Sequence, residues 1–188
     1  MKLIDVRFQY QNKNSKEIIF SEKVNLDIPI KSKTQLISSD SNLLYALGSI
    51  LTGQSEPSEG DITGLNKSES ILIIPEFAAF PWMTVKENIL SVSEKIDDKL
   101  LQEFGLDIYL KNSFDENSYG FRLKLALIMA LMAGKTNIVL FNPFSYIKTS
   151  FYSIFIRDIE KLINKGINVI ILSSGIKKEL EFDNEYYL

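Results

Sequence analysis

The run Gln35-Leu36-Ile37-Ser38-Ser39-Asp40-Ser41-Asn42-Leu43-Leu44-Tyr45-Ala46-Leu47 passes from an apolar strand end through a polar turn into an apolar helix. A phosphate-binding loop of pattern G-x-x-x-x-G-K-S/T sits at such a junction. Its glycines let the backbone turn N–H groups toward phosphate oxygens, its lysine reaches the β- and γ-phosphates, and its hydroxyl binds Mg²⁺. In that register Ser38 holds the first glycine position, Leu43 the last, Leu44 the lysine position and Tyr45 the hydroxyl position, with Ser41 inside the turn. A charge-assisted hydrogen bond from the lysine is worth roughly 1.5–3 kcal/mol, so its loss alone weakens phosphate binding about ten- to a hundredfold. Leu43 adds a bulky side chain where the backbone must approach its ligand closely. A strand, a Ser/Asp/Asn turn and a helix occur together in many α/β proteins, so the register gains meaning only from the rest of the chain. A loop in the right place without its working residues points to a pseudoenzyme.

Composition limits what can surround this turn. With 188 residues, 45% of them hydrophobic, the chain can build one well-buried core but not two comfortable ones, so a single domain over 1–188 with a small insert is expected. The net charge of −3, with no long run of one sign, gives no polybasic face, and nucleic acid is not an expected partner. Cysteine and histidine are both absent, which removes disulfides, thiolate nucleophiles, the usual zinc ligand sets and imidazole acid–base chemistry. No metal site is expected. Met1–Val6 is charged within its first five residues and lacks the apolar segment of a signal peptide. No run approaches the ~20 apolar residues of a membrane span, so a soluble, cytoplasmic protein is the expectation.

The first thirty residues alternate as strands do, Leu3/Ile4/Val6/Phe8/Tyr10 and then Ile18/Phe20/Val24/Leu26/Ile28, and predict an antiparallel β layer. Ile71–Ile74, Ile138–Phe141 and Val169–Leu172 are short, β-branched and unalternating, as strands covered on both faces are; with Gln35–Ile37 they predict a parallel central sheet. Helical patterns fill the intervals at Leu43–Leu51, Lys99–Gly105, Leu123–Met132 and Phe151–Asn164. Strands alternating with helices make an α/β layered fold. The less regular stretch at about 86–120 reads as a small helical insert.

In this order the segments resemble the nucleotide-binding domain of an ATP-binding cassette (ABC) transporter. Leu51-Thr52-Gly53-Gln54-Ser55-Glu56-Pro57-Ser58-Glu59-Gly60-Asp61-Ile62 is similar to the family's run after its first helix. Ile73-Ile74-Pro75-Glu76-Phe77-Ala78-Ala79-Phe80-Pro81-Trp82-Met83-Thr84-Val85-Lys86-Glu87-Asn88-Ile89 resembles its glutamine loop and the segment beyond, and is the most specific match. Asn117–Leu127 falls on the signature L-S-G-G-Q and the helix it opens, and Ile138–Ser145 on the strand that ends D-E-P. The resemblance implies a P-loop NTPase-like cassette domain: a parallel core sheet, an N-terminal antiparallel β subdomain and a small helical insert.

Departures from the family pattern gather where the chemistry would be. The D-E positions read Phe141 and Asn142; a carboxamide cannot take a proton as a carboxylate does, and losing a general base costs about 10²–10⁴ in rate. Phe141 also removes the acidic partner of the metal. The switch histidine is replaced within Ser173-Ser174-Gly175, with Ser174 at its position, the glutamine by Glu76, and the aspartate after D-E-P by Lys148. No catalytic residue is expected, and ATP with Mg²⁺ would be held only weakly or through a partner subunit.

Other positions keep a role that the resemblance implies. Tyr10 stands where an aromatic stacks on adenine, the alternative being plain sheet packing. Glu76 could still ligate Mg²⁺ or be a solvated loop acid. Ser118 and Gly120 retain two signature positions, which in the family face the ATP of the other subunit, although Ser118 could simply cap its helix. Phe80, Trp82 and Met83 border the groove that receives a permease's coupling helix. The implied function is a catalytically inactive ABC subunit of structural or regulatory role. It would form a heterodimer with an intact ABC ATPase subunit under a membrane permease, peripheral on the membrane's inner face. The alternative is a soluble scaffold or regulatory protein that uses the fold to bind proteins outside transport.

Overall fold

The chain is described from a computed structural model over residues 1–113, 118–175 and 181–188. Its N-terminal layer is antiparallel: β1 (Lys2–Arg7) lies between β4 (Val24–Asp27) and β6 (Glu59–Thr63), while β2 (Gln9–Gln11) and β3 (Ile18–Phe20) form a separate hairpin. Leu3, Val6, Val24 and Leu26 are buried, as the alternation predicts. The pattern slips once. Asp5 adopts a φ of 50°, the β1–β6 register shifts between Ile4 and Arg7, and Ile4 is turned out to solvent. Opposite the slip, Gly60 has a φ of 84°, and a Cβ there would lie 2.4 Å from the Asp5 carbonyl oxygen.

The second sheet, in the order β10-β5-β9-β8-β7, is parallel throughout: β5 (Lys33–Ile37), β7 (Ser70–Ile73), β8 (Asn137–Phe141), β9 (Asn168–Ser173) and β10 (Asn184–Tyr187). Helices cover both of its faces, which is why the inner strands are apolar without alternation. On one face α1 (Ser41–Leu51) packs on Leu36, Val139, Ile170 and Leu172, together with the antiparallel layer. The insert carries α2 (Val85–Leu90) and α3 (Asp98–Phe104), the latter closed by Gly105 in the left-handed region as the sequence predicts. Both join α4 (Tyr119–Met132) and α5 (Tyr152–Asn164) on the other face, against Ile138, Leu140, Val169 and Ile171. Buried Asp158 of α5 ties the two long helices together, 3.4 Å from Lys124 of α4 and 3.4 Å from Lys161.

The predicted strands and helices all occur, with α4 starting earlier, at Tyr119. β6 and β10 have no counterpart among the predicted elements. β6 is a mostly exposed polar edge strand and β10 a short edge, so neither carries an apolar run. Part of the predicted insert, 114–117, including Asn117 of the signature stretch, lies outside the described residues. Among the described residues no helix is long and apolar enough to cross a membrane.

The Asp5–Gly60 crossing gives a direct test of the bulge. Gly60→Ala is expected to cost about 1–3 kcal/mol through backbone strain, read as a lower urea midpoint at unchanged slope. An unchanged midpoint would mean the bulge relaxes freely.

Candidate functional site

The polar turn lies at the C-terminal end of β5, but helix α1 begins earlier than the phosphate-loop register requires. Ser41 is already helical, so the turn is reduced to Ser38, Ser39 and Asp40. Asp40 is the N-cap. Its carboxylate accepts from the backbone N–H of Asn42 at 2.9 Å and of Leu43 at 3.4 Å. These are the donors that a loop of this kind would aim at phosphate, and here the chain supplies its own anion to them. Ser38 accepts from the Asp40 N–H at 3.2 Å and, through its own N–H, is tied to Ser173 of β9 at 3.2 Å. Leu44, at the lysine position, is fully buried among Leu36, Leu47 and Leu172.

At the hydroxyl position Tyr45 meets Phe141 from the end of β8, their rings edge to face with centroids 5.8 Å apart. An aromatic pair thus occupies the two positions that the sequence resemblance assigns to a hydroxyl and a carboxylate on a metal. Asn142 follows in the left-handed region, φ 44°, which asparagine tolerates. Its side-chain oxygen accepts from the Ser174 N–H at 3.0 Å, binding the general-base position to the switch position. Gln35, buried beneath, donates to Ser173 Oγ at 2.6 Å and to the Gly175 carbonyl at 3.2 Å. Ser39, Ser41, Asn42, Tyr45, Phe141 and Ser174 line one cavity of about 480 Å³, with Lys13 from the β2–β3 turn at its rim. A buried leucine, an aromatic pair and N–H groups held by Asp40 do not fit a magnesium-bound triphosphate.

A neighbouring cavity of about 440 Å³ contains Tyr10, with Asn42, Tyr45 and Ala46 from α1 opposite it. Tyr10 is half-buried, its ring 6.4 Å from that of Phe8. Burial raises the pKa of its phenol, and the Asp40 and Glu22 carboxylates add to the rise. That pocket is therefore bordered by negative charge.

Glu76 is not a solvated loop acid. One carboxylate oxygen is shut off from solvent, and the group faces the Tyr146 phenol. Hydrogen bonding to this carboxylate, with burial second, pushes the Tyr146 pKa up to about 12. The ring of Tyr146 packs on that of Tyr119 at 5.6 Å, and the Arg122 guanidinium lies 5.5 Å over Tyr119. Arg122 is buried in α4 and donates to the carbonyls of Glu76 and Ala79, so the glutamine-loop segment is clamped to the signature helix. Ser118 stands at the N-cap of that helix but makes no side-chain capping bond. Gly120 is pressed on Phe151, where a Cβ would come within 2.8 Å of the ring.

Phe80 and Trp82 project from the next loop, 42% and 73% exposed, with ring centroids 5.2 Å apart; Met83 is partly buried. Phe77, on the same segment, is 82% exposed. The loop is held from within by Asn88, whose buried amide accepts from the Phe80 N–H at 2.8 Å and donates to the Phe80 and Thr84 carbonyls at 3.0 and 3.1 Å. Thr84 and Glu87 complete a capping box on α2, and these bonds to Thr84 lower the Glu87 pKa. Only the contact order of the folded chain shows Asn88 in this role.

No family model and no curated protein matches this chain. Solved structures do. It is similar to cbiO1 from Clostridium perfringens, part of the ABC transporter complex cbiONQ, with TM-score 0.72 and 14% identity over 93% of this chain and 78% of that one. It is similar to the ATP-binding cassette MJ0796, a dimer bound to ADP and Pi after hydrolysis, with TM-score 0.68 and 18% identity over 93% and 88% of the two chains. A Pyrococcus furiosus protein described as an ABC transporter ATP-binding protein gives TM-score 0.76 and 18% identity over 100% and 96%. The fold is that of the ABC cassette domain, as the sequence resemblance implies.

The Glu76–Tyr146 contact can be read directly. Because the folded pKa of Tyr146 lies above its ordinary value of 10.0, the contact contributes stability that is present below pH 10.0 and lost as pH rises through about 12. Glu76→Gln is expected to bring this tyrosine's titration down toward 10.0, seen as earlier tyrosinate absorbance with Tyr146→Phe as reference. Identical alkaline titrations of the two forms would remove the contact.

Proposed function

We propose that this chain is a catalytically inactive cassette subunit that pairs with an intact ATPase subunit beneath a membrane permease, supplying shape, docking surface and part of its partner's ATP site. The observation that carries this reading is the Asp40 carboxylate on the N–H groups of Asn42 and Leu43, beside the Tyr45–Phe141 contact. With the phosphate donors taken internally and the metal position filled by rings, the chain has nothing with which to bind and activate its own nucleotide. Ser118 and Gly120, at the start of α4, are the residues assigned to the partner's ATP. Phe80 and Trp82, with Phe77 and Met83, are assigned to the permease. Support for such assembly comes from two of the similar structures, one belonging to a transporter complex and one a dimer. On this reading the protein resides on the cytoplasmic face of a membrane, held there through its permease.

Two measurements test the proposal. The purified chain with ATP and Mg²⁺ is expected to release phosphate at the buffer rate, and Asn142→Glu is expected to restore no turnover, because Leu44, Tyr45 and Phe141 remain and catalytic groups act as a unit. Turnover above buffer in the unaltered chain would overturn catalytic inactivity. Trp82→Ala is expected to weaken binding to membranes containing the permease by roughly tenfold or more, as loss of an aromatic anchor does. Undiminished binding would instead favour a soluble scaffold that uses the fold to bind proteins.

A further inference from the structure

Between α3, α4 and α5, sharing no lining residue with the cavities at α1, lies an open cavity of about 530 Å³. Four rings, Phe104, Tyr109, Phe121 and Phe151, and three cations, Lys124, Arg157 and Lys161, form much of its wall; the one acid on it, Glu103, is paired with Lys165 at 2.7 Å. This volume, with apolar walls carrying a few convergent charged groups, suits a small molecule. Phe121 stands at the glutamine position of the signature stretch, so the residue that departs from that motif is also a wall of this cavity.

The three cations are held unequally. Lys161 is committed: it donates to the Glu103 carbonyl at 2.6 Å, lies 3.4 Å from Asp158 and sits 4.7 Å over the Phe104 ring. Lys124 is underused. Its side chain is 11% exposed, and among the described residues its ammonium, with three protons to donate, meets only the Asp158 carboxylate, at 3.4 Å. The facing Asp158 oxygen is itself buried and accepts no hydrogen bond. Arg157 is exposed and makes no hydrogen bond or ion pair among the described residues. A shielded ammonium with spare donors, a free guanidinium and adjoining rings together match an anion attached to an apolar body.

We propose that this cavity binds a small aromatic anion, its ring against Phe121 and Phe151 and its phosphate or carboxylate toward Arg157 and Lys124. Such a site is independent of the nucleotide chemistry at α1 and would persist whether or not the chain acts in transport.

The test is calorimetric titration of the full chain with phenyl phosphate. Saturable binding is expected, with inorganic phosphate and phenol each at least about tenfold weaker, because each supplies only half of the match. Arg157→Glu, at an exposed position, is expected to raise the Kd at least about tenfold, the loss of one charge-assisted contact. Lys13→Glu, at the rim of the α1 cavity, is expected to leave the Kd unchanged. Absence of saturable binding, an unaltered Kd in Arg157→Glu, inorganic phosphate binding as tightly as phenyl phosphate, or loss of binding in Lys13→Glu would each overturn the assignment.

Discussion

A parallel sheet whose inner strands are apolar on both faces cannot leave either face wet. Ile138, Leu140, Val169 and Ile171 face one way and Val139, Ile170 and Leu172 the other, so the chain must return over both sides of β8 and β9 between strands. Helices α1, α4 and α5 are the consequence, and parallel pairing brings the C-terminal ends of β5, β7, β8 and β9 to one rim. Four residues of the candidate site follow from this. Asp40 comes after β5, Glu76 after β7, Asn142 after β8 and Ser174 after β9. The position of the site is therefore a property of the sheet, independent of which side chains occupy it.

Much of that rim is tied up by its own side chains, although one oxygen each of Gln35 and Glu76 is buried with no hydrogen-bond partner among the described residues. A turn rich in N–H groups at a helix start needs an acceptor, and Asp40 provides one without a ligand. Tyr45 and Phe141 turn their rings on each other. The carboxamide at Asn142 finds the backbone of Ser174, and Gln35 ties the same segment from below. In each case the group meets the protein itself. Buried polar groups are costly when unpaired, and these internal bonds remove much of that cost at the rim.

How far the sequence discloses this depends on the range of the interaction. The strands β8 and β9 are legible because burial on both faces writes an apolar run, and α3 because Gly105 ends it; β5 buries Thr34 and Gln35 and shows only Leu36 and Ile37 as apolar. β6 and β10 are illegible because an edge strand needs only backbone pairing, which Glu59-Gly60-Asp61-Ile62-Thr63 supplies without an apolar pattern. Leu44, Tyr45, Phe141 and Asn142 take their positions in the resemblance by register alone. The cap was legible as well: Asp40 directly before a periodic apolar run is a helix-start signal, and it competes with reading the turn as an open loop. Glu76 and Tyr146 could not be paired from sequence, since their contact depends on two strand ends being brought side by side.

The loop at 77–83 shows why exposure and order are compatible here. Large apolar side chains in solvent, as at Phe77, Phe80 and Trp82, are ordinarily tolerated on segments free to fold over them. Asn88 prevents that by fixing the backbone at both Phe80 and Thr84, Arg122 does so at Glu76 and Ala79, and the Thr84–Glu87 box fixes the start of α2. The rings are thus presented at low conformational cost to whatever covers them, which is the condition under which an aromatic cluster gives affinity on association. Arg122 also packs on Tyr119, whose ring meets Tyr146 at the site rim, so the presented surface and the rim share one clamp.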